Sequence, residues 1–245
     1  MGEGALTFYG DPQAALAAYR RAYALDPENI AAIDSIGHLE LLFGNLKAAE
    51  DAFRQVLDLG RTRDNQEAIA AVYCNLGNIA MTQGDLEAAA ELYRHAFARL
   101  EDMGNKVGMA ASYSNLGNVA FKQGYLDTAV GYYNQALALD KELGLKEGMA
   151  TRYSNLGNVA LKQGDLDTAV EYHNQALALD EELGRKEGMA SNYANLGRVA
   201  FKRGDLLEAR QFWVQARGLF AEMGVQPEVA QIDEWLADLE LPAEP

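Results

Sequence analysis

The pentapeptide Tyr-x-Asn-Leu-Gly recurs every forty residues, at 73–77, 113–117, 153–157 and 193–197. A fixed period of this length builds an array of similar units, each of which buries its apolar face on its neighbours. One central core shared by the whole chain is incompatible with it. The functional question therefore moves from a catalytic cleft to the surface that stacked units present.

Within residues 106–143, Met109, Ala110, Tyr113, Leu116, Gly117 and Ala120 fall at three- and four-residue spacing, which marks one apolar face of a helix. Gln123-Gly124 ends that helix, since glycine is a favoured C-cap. Leu126, Ala129, Val130, Tyr133, Ala136, Leu137 and Leu143 form a second periodic run, stopped by Gly144. The short connection makes the two helices antiparallel. Gly117, Ala120, Ala129 and Ala136 predict points of close helix approach, with Tyr113 and Tyr133 filling the wider gaps. The same small positions return as Gly157, Ala160, Ala169 and Ala176, and again as Gly197, Ala200, Ala209 and Ala216.

These residues resemble the tetratricopeptide repeat family, in which a Leu-Gly pair on the first helix and small residues on the second recur. Asn-Leu-Gly-Asn-Val-Ala-x-Lys-Gln-Gly-Asp-Leu at 155–166 is similar to the family consensus. The forty-residue period resembles the longer variant found in kinesin light chains and in Pins-type spindle-orientation adaptors. The resemblance covers nearly the whole chain. It implies an all-α, right-handed α-solenoid of helix-turn-helix hairpins with a C-terminal capping helix.

On this reading residues 1–245 form a single array: a partial repeat at 1–29, repeats at 30–69, 70–109, 110–149, 150–189 and 190–226, and a capping helix at 227–241. Gly44-Asn45-Leu46 with Ala49 and Phe53 belongs to a diverged unit, and Ala15, Tyr19 and Ala22 match the second helix of an ordinary repeat. Too few residues precede them for a full first helix. Either the sequence begins inside a longer array, or the edge is incomplete and leaves Leu16, Tyr19 and Tyr23 short of cover. An exposed apolar edge recruits partners, so self-association through this end is one expectation, against a half-helix over 5–9 that fills the gap. At the other end Val229, Ile232, Trp235, Leu236 and Leu239 share a face behind Pro227, which suits a helix start.

Catalytic patterns are missing from the sequence. It holds no His-Glu-x-x-His, nucleophile elbow, phosphate loop or Cys-x-x-Cys pair. His38, His95 and His173 lack metal-ligand spacing, and His173 stands where other units carry Tyr93, Tyr133 and Trp213, which makes it a packed ring. Cys74 stands where Ser114, Ser154 and Ala194 stand, a small-residue position. Asp165/Asp167 and Glu181/Glu182 read as caps and solvated faces. The expectation is a protein that is not an enzyme and uses no cofactor or metal.

A net charge of −15 disfavours nucleic acid and anionic membranes as partners. One cysteine, no basic-then-apolar leader and no long apolar run together predict a cytoplasmic protein.

The resemblance places the first helices on a concave face. Their non-core positions, Asn75, Asn78, Asn115, Asn118, Asn155, Asn158, Asn195 and Arg198, with Lys122, Lys162 and Lys202 further on, then become candidate peptide-binding residues. An amide side chain both donates and accepts, so an asparagine ladder suits the backbone of an extended segment. Selectivity falls to Cys74, Ser114, Ser154 and Ala194, and to Met81, Phe121, Leu161 and Phe201. Charge sharpens the picture. First-helix segments 65–83, 105–123, 145–163 and 185–203 total +7, whereas second-helix segments 85–103, 125–143, 165–183 and 205–223 total −12. The expected partner is a protein or peptide segment with acidic residues, and the alternative is a self-assembling scaffold that binds another copy of itself. Residues 111–150 and 151–190 differ at eight of forty positions, which implies either a repeated surface tolerant of register or a recent duplication.

Overall fold

Residues in the left-handed backbone conformation recur every twenty positions from Gly44 to Gly224 in the computed structural model, with Asp64 (φ 52°) filling the slot that lacks glycine. Asp is among the few side chains that enter this region at modest cost. At Gly124 (φ 85°) the reversal is completed by Tyr125 N–H donating to the Ala120 carbonyl at 2.9 Å, a Schellman-type closure that satisfies a terminal carbonyl. The next helix then starts at once, often under an Asp or Asn cap: Asp85 accepts from Ala88 N–H at 3.0 Å, and Asp165 from Thr168 N–H at 3.1 Å.

The structure describes residues 11–239, and among these there are twelve helices and no strand. In order they are α1 (Pro12–Leu25), α2 (Ile30–Leu42), α3 (Leu46–Thr62), α4 (Gln66–Gln83), α5 (Leu86–Asp102), α6 (Lys106–Gln123), α7 (Leu126–Leu143), α8 (Lys146–Gln163), α9 (Leu166–Leu183), α10 (Lys186–Arg203), α11 (Leu206–Met223) and α12 (Gln226–Ala237). Two compact units, Met1–Ser112 and Tyr113–Pro245, divide the chain. The half-helix expected over 5–9 and the end of the expected capping helix at Leu241 lie outside the described residues.

In the first unit α1 to α5 pack in sequence, each on the next. Ile33, Phe53, Val56, Ile69, Val72 and Ile79 form its main core cluster. Leu16 is buried, at 5% exposure, and Tyr19 and Tyr23 are half-buried, so Leu16 does not form an open edge.

In the second unit α7 to α12 pack in sequence, and α8 also reaches α10. Tyr133, Leu137, Leu156 and Val159 fill one core cluster, and Trp213, Phe220, Val229, Ile232 and Leu239 another under α12.

A glycine facing an aromatic ring fixes how closely each hairpin closes. A Cβ added to Gly117 would lie 2.5 Å from Tyr133 Cε1, and one added to Gly157 would lie 2.8 Å from His173. Gly197 meets Trp213 in the same way, and in the first unit Gly37 meets Phe53 and Gly77 meets Tyr93. Burying the Phe53, Tyr93, Tyr133 and Trp213 rings contributes about 3 kcal/mol each. The small positions Ala129, Ala136, Ala169, Ala176, Ala209 and Ala216 are fully buried, as close helix approach requires.

Candidate functional site

The asparagines of each first helix have unequal surroundings. In the first unit Asn78 Oδ1 accepts the Tyr93 hydroxyl at 2.6 Å, and in the second Asn118 Oδ1 accepts the Tyr133 hydroxyl at 2.8 Å. Burial pushes both phenols above their ordinary range, so they keep their protons and act as donors. These two asparagines therefore have one acceptor engaged in packing and an amide N–H₂ left to offer. Asn158, where the ring is His173 and carries no hydroxyl, makes no side-chain hydrogen bond among the described residues. Asn115 and Asn155 are half-buried and equally uncommitted there. Asn195 Oδ1 accepts from Arg198 at 3.1 Å, and Asn75 Nδ2 lies 3.4 Å from His38 Nε2.

Positive charge on the second unit's first helices sorts into two sets. Arg152 pairs with Asp140, Arg185 with Asp180, and Lys186 with Glu222, at 3.1, 3.5 and 2.9 Å. Lys146 pairs with Glu182 and Arg203 with Asp167. Lys122, Lys162, Arg198 and Lys202 have no carboxylate partner among the described residues. Lys122, Lys202 and Arg198 are exposed. Lys162 is exposed too, and its ammonium sits 4.6 Å from the centre of the Phe121 ring and 3.2 Å from the Phe121 carbonyl oxygen.

Positions expected to read a partner's side chains are not uniformly open. Ser114 is buried and accepts from Arg152 at 2.9 Å, and Leu161 is buried as well. Neither reaches a ligand as the helices stand, because the following repeat covers what spacing alone presents as a repeated slot. Phe201, the same position one unit later, is 47% exposed.

Buried polar pairs between successive repeats were not anticipated from the sequence. Asp140 lies under Gly148, with the Arg152 guanidinium Nε 3.1 Å from Oδ2 as a charge contact off the axis of an aligned hydrogen bond. Burial raises the Asp140 carboxyl, and Arg152 opposes the rise. One unit on, Asp180 Oδ2 accepts from Asn192 Nδ2 at 3.0 Å, and Asn192 Oδ1 faces His173 Nδ1 at 3.1 Å. Asn192 also donates to the Gly188 carbonyl, which fixes its orientation, so His173 Nδ1 is the donor. The corresponding positions elsewhere are Leu100 with Ser112 and Phe220 with Ile232. Asp140 and Asp180, in a slot that holds Leu100 and Phe220 in its siblings, are the signal that points to them.

His173 is fully buried with Nε2 unpartnered, and burial lowers its pKa to about 4. Neutral imidazole packed against Gly157 is a core ring. Burial pushes the Cys74 thiol up, which makes it a poor nucleophile. Among the described residues no three His, Cys, Asp or Glu side chains are placed to hold a metal ion, and no helix is long and apolar enough to cross a membrane.

Comparison with solved structures finds this architecture repeatedly. BtubC (BKLC) from P. vanneervenii matches at 23% identity over 88% of this chain and 90% of that one, with a TM-score of 0.72. A putative kinesin light chain from Podosopora anserina with nearly identical repeats matches at 19% identity over 81% and 97%, with a TM-score of 0.65. A Rap protein complexed with competence and sporulation factor matches at 15% over 87% and 64%, with a TM-score of 0.64. At these identities the likeness is one of fold. No curated protein matches the chain. Family-level matching is direct: the tetratricopeptide repeat matches at residues 29–102, 68–142, 108–182 and 148–222. This chain belongs to the tetratricopeptide repeat family.

Proposed function

We propose that the chain is a non-enzymatic scaffold that binds an extended, acidic segment of a partner protein along its first helices. The observation that carries the reading is the pairing pattern of the cations. Second-helix carboxylates neutralise Lys146, Arg152, Arg185, Lys186 and Arg203, yet Lys122, Lys162, Arg198 and Lys202 have no carboxylate partner among the described residues of an acidic protein. Uncommitted amides at Asn115, Asn155 and Asn158 accompany them, with Asn118 and Asn195 partly engaged. Asn75 and Asn78 hold the same repeat positions in the first unit. Amides suit the backbone of an extended segment, and unpaired cations suit its carboxylates. The Rap protein of similar fold is complexed with competence and sporulation factor.

A second reading is supported by the opposite charges of first and second helices: another copy of the chain offers an acidic surface to the same cations. Sedimentation velocity across a wide concentration range separates the two. A monomer at all concentrations supports a foreign segment. Assembly abolished by Lys162→Glu with Lys202→Glu supports the second copy.

A further inference from the structure

Both tryptophans of the chain, Trp213 and Trp235, line one cavity of about 590 Å³ in the second unit. Phe201, Arg198 and Lys202 from α10 and Gln231 from α12 also line it, with Asp238 after α12. Trp213 is held over Gly197 and its indole N–H is spent on the Ala194 carbonyl at 3.1 Å. Ring centres lie 5.7 Å apart for Phe201 and Trp213, and 5.3 Å apart for Trp213 and Trp235. The result is a rigid aromatic wall whose outer member, Phe201, is left in water.

Three features say what would fill it. The aromatic wall calls for an apolar group, because exposed ring surface is unfavourable until it is covered. Arg198 and Lys202, without carboxylate partners among the described residues, call for an anion beside that group. The third feature is a break in repetition. Residues 111–150 and 151–190 differ at only eight of forty positions, so the asparagine ladder by itself distinguishes poorly between neighbouring registers of a bound segment. Asn158, Leu161 and His173 become Arg198, Phe201 and Trp213 in the next unit, and there the symmetry ends.

We infer that this cavity is the anchor that sets register: it takes a large apolar side chain of a linear peptide together with a neighbouring carboxylate. The inference rests on the proposed peptide-binding function. Arg198 and Lys202 hold the carboxylate, Phe201 and Trp235 cover the apolar group with Trp213 behind them, and the ladder on α8 and α6 then carries the peptide backbone.

Selection of short random peptides displayed against the intact chain tests this, followed by titration of the synthesised winners on tryptophan fluorescence. Both tryptophans of the chain line the cavity, so their emission responds when it is filled. The expected consensus pairs a large apolar residue with Asp or Glu one or two positions away, and binding shifts the emission. Phe201→Ser and Lys202→Glu, both at exposed positions, each weaken binding roughly tenfold with unchanged helicity. Peptides that bind without that pairing, or that ignore both substitutions, overturn the anchor and leave the peptide-binding function standing. Failure to enrich any peptide overturns both. Emission that shifts with protein concentration alone assigns the cavity to a second copy and overturns the peptide anchor.

Discussion

Gly117 and Tyr133 define the closest approach within their hairpin: a methyl group on the glycine would sit 2.5 Å from the ring carbon Cε1. The ring is buried at 2% exposure and its hydroxyl is tied to Asn118 at 2.8 Å, so it has nowhere to swing. Helix propensity alone favours alanine over glycine here by about 1 kcal/mol. Overpacking a core that cannot yield costs about 1–3 kcal/mol. Steric cost wins, and Gly117→Ala should lower stability by about 1 kcal/mol net. Gly157→Ala, facing the smaller His173 ring at 2.8 Å, should cost less, and Gly197→Ala against Trp213 should cost most. Denaturant midpoints of the three variants check the order.

The Asp140–Arg152 pair gives a test of what buried charge contributes to the stack. Both side chains are mostly removed from water, at 3% and 12% exposure. Arg152→Ser alone should destabilise by about 3–5 kcal/mol, because it leaves a buried carboxylate without its partner. The double change Asp140→Leu with Arg152→Ser copies the Leu100 and Ser112 pairing of the preceding unit, where Leu100 lies against Gly108 as Asp140 lies against Gly148. It should restore stability to within about 1 kcal/mol of the parent, since well-packed apolar replacements of buried ion pairs are often neutral or better. A double variant as unstable as Arg152→Ser would show that the pair does more than fill the slot.

His173 should make the second unit sensitive to acid. Its folded-state pKa is lowered to about 4 from an ordinary 6.5, by burial first and by the nearby Arg198 charge, with the Asn192 hydrogen bond opposing. The unfolded chain therefore binds a proton at a pH where the folded chain does not. The stability this gives is fully present above pH 6.5 and is lost as pH falls towards about 4, by about 3 kcal/mol in all. Asp180, raised by burial, works in the opposite direction over the acidic end. His173→Tyr, the residue of the Tyr93 and Tyr133 positions, isolates the histidine contribution. Between pH 7 and pH 4.5 its thermal midpoint should fall less than that of the parent. Equal slopes would mean that the imidazole is not the group responsible.

Much of this architecture was legible because it is repeated. Gly124 and Gly144 were expected to end helices and do so, with α6 stopping at Gln123 and α7 at Leu143. The same repetition hid the site's details. Periodicity treats Leu161 and Phe201 as one slot, yet the first is buried and the second is 47% exposed, since exposure depends on what the next element lays over it. Asn118 reads as a surface amide until the Tyr133 hydroxyl, fifteen residues on, is seen to take its oxygen. Asp140 with Arg152 lies twelve residues apart, across a helix end, where neither helical spacing nor the forty-residue period looks for partners. Legibility stops where function depends on departures from the repeat.

Charge reversal at Lys162 and Lys202 separates steering from packing in partner binding. Neither ammonium has a carboxylate partner among the described residues, so Glu at either position breaks no ion pair seen there. Lys162 does cover the Phe121 ring at 4.6 Å, so some loss of local packing accompanies its change, whereas Lys202 is exposed and serves as the cleaner probe. Exposed charges act on an approaching acidic segment over about a Debye length, roughly 10 Å at 0.1 M salt. They therefore raise the association rate more than they slow dissociation. Each reversal should slow association with an acidic peptide several-fold at low salt, with dissociation nearly unchanged. The slope of association rate against salt should flatten, and the two reversals together should flatten it further. Stopped-flow mixing at several ionic strengths measures both quantities. An association rate untouched by either reversal would remove the acidic segment from the proposed function, leaving only a ladder that holds peptide backbone.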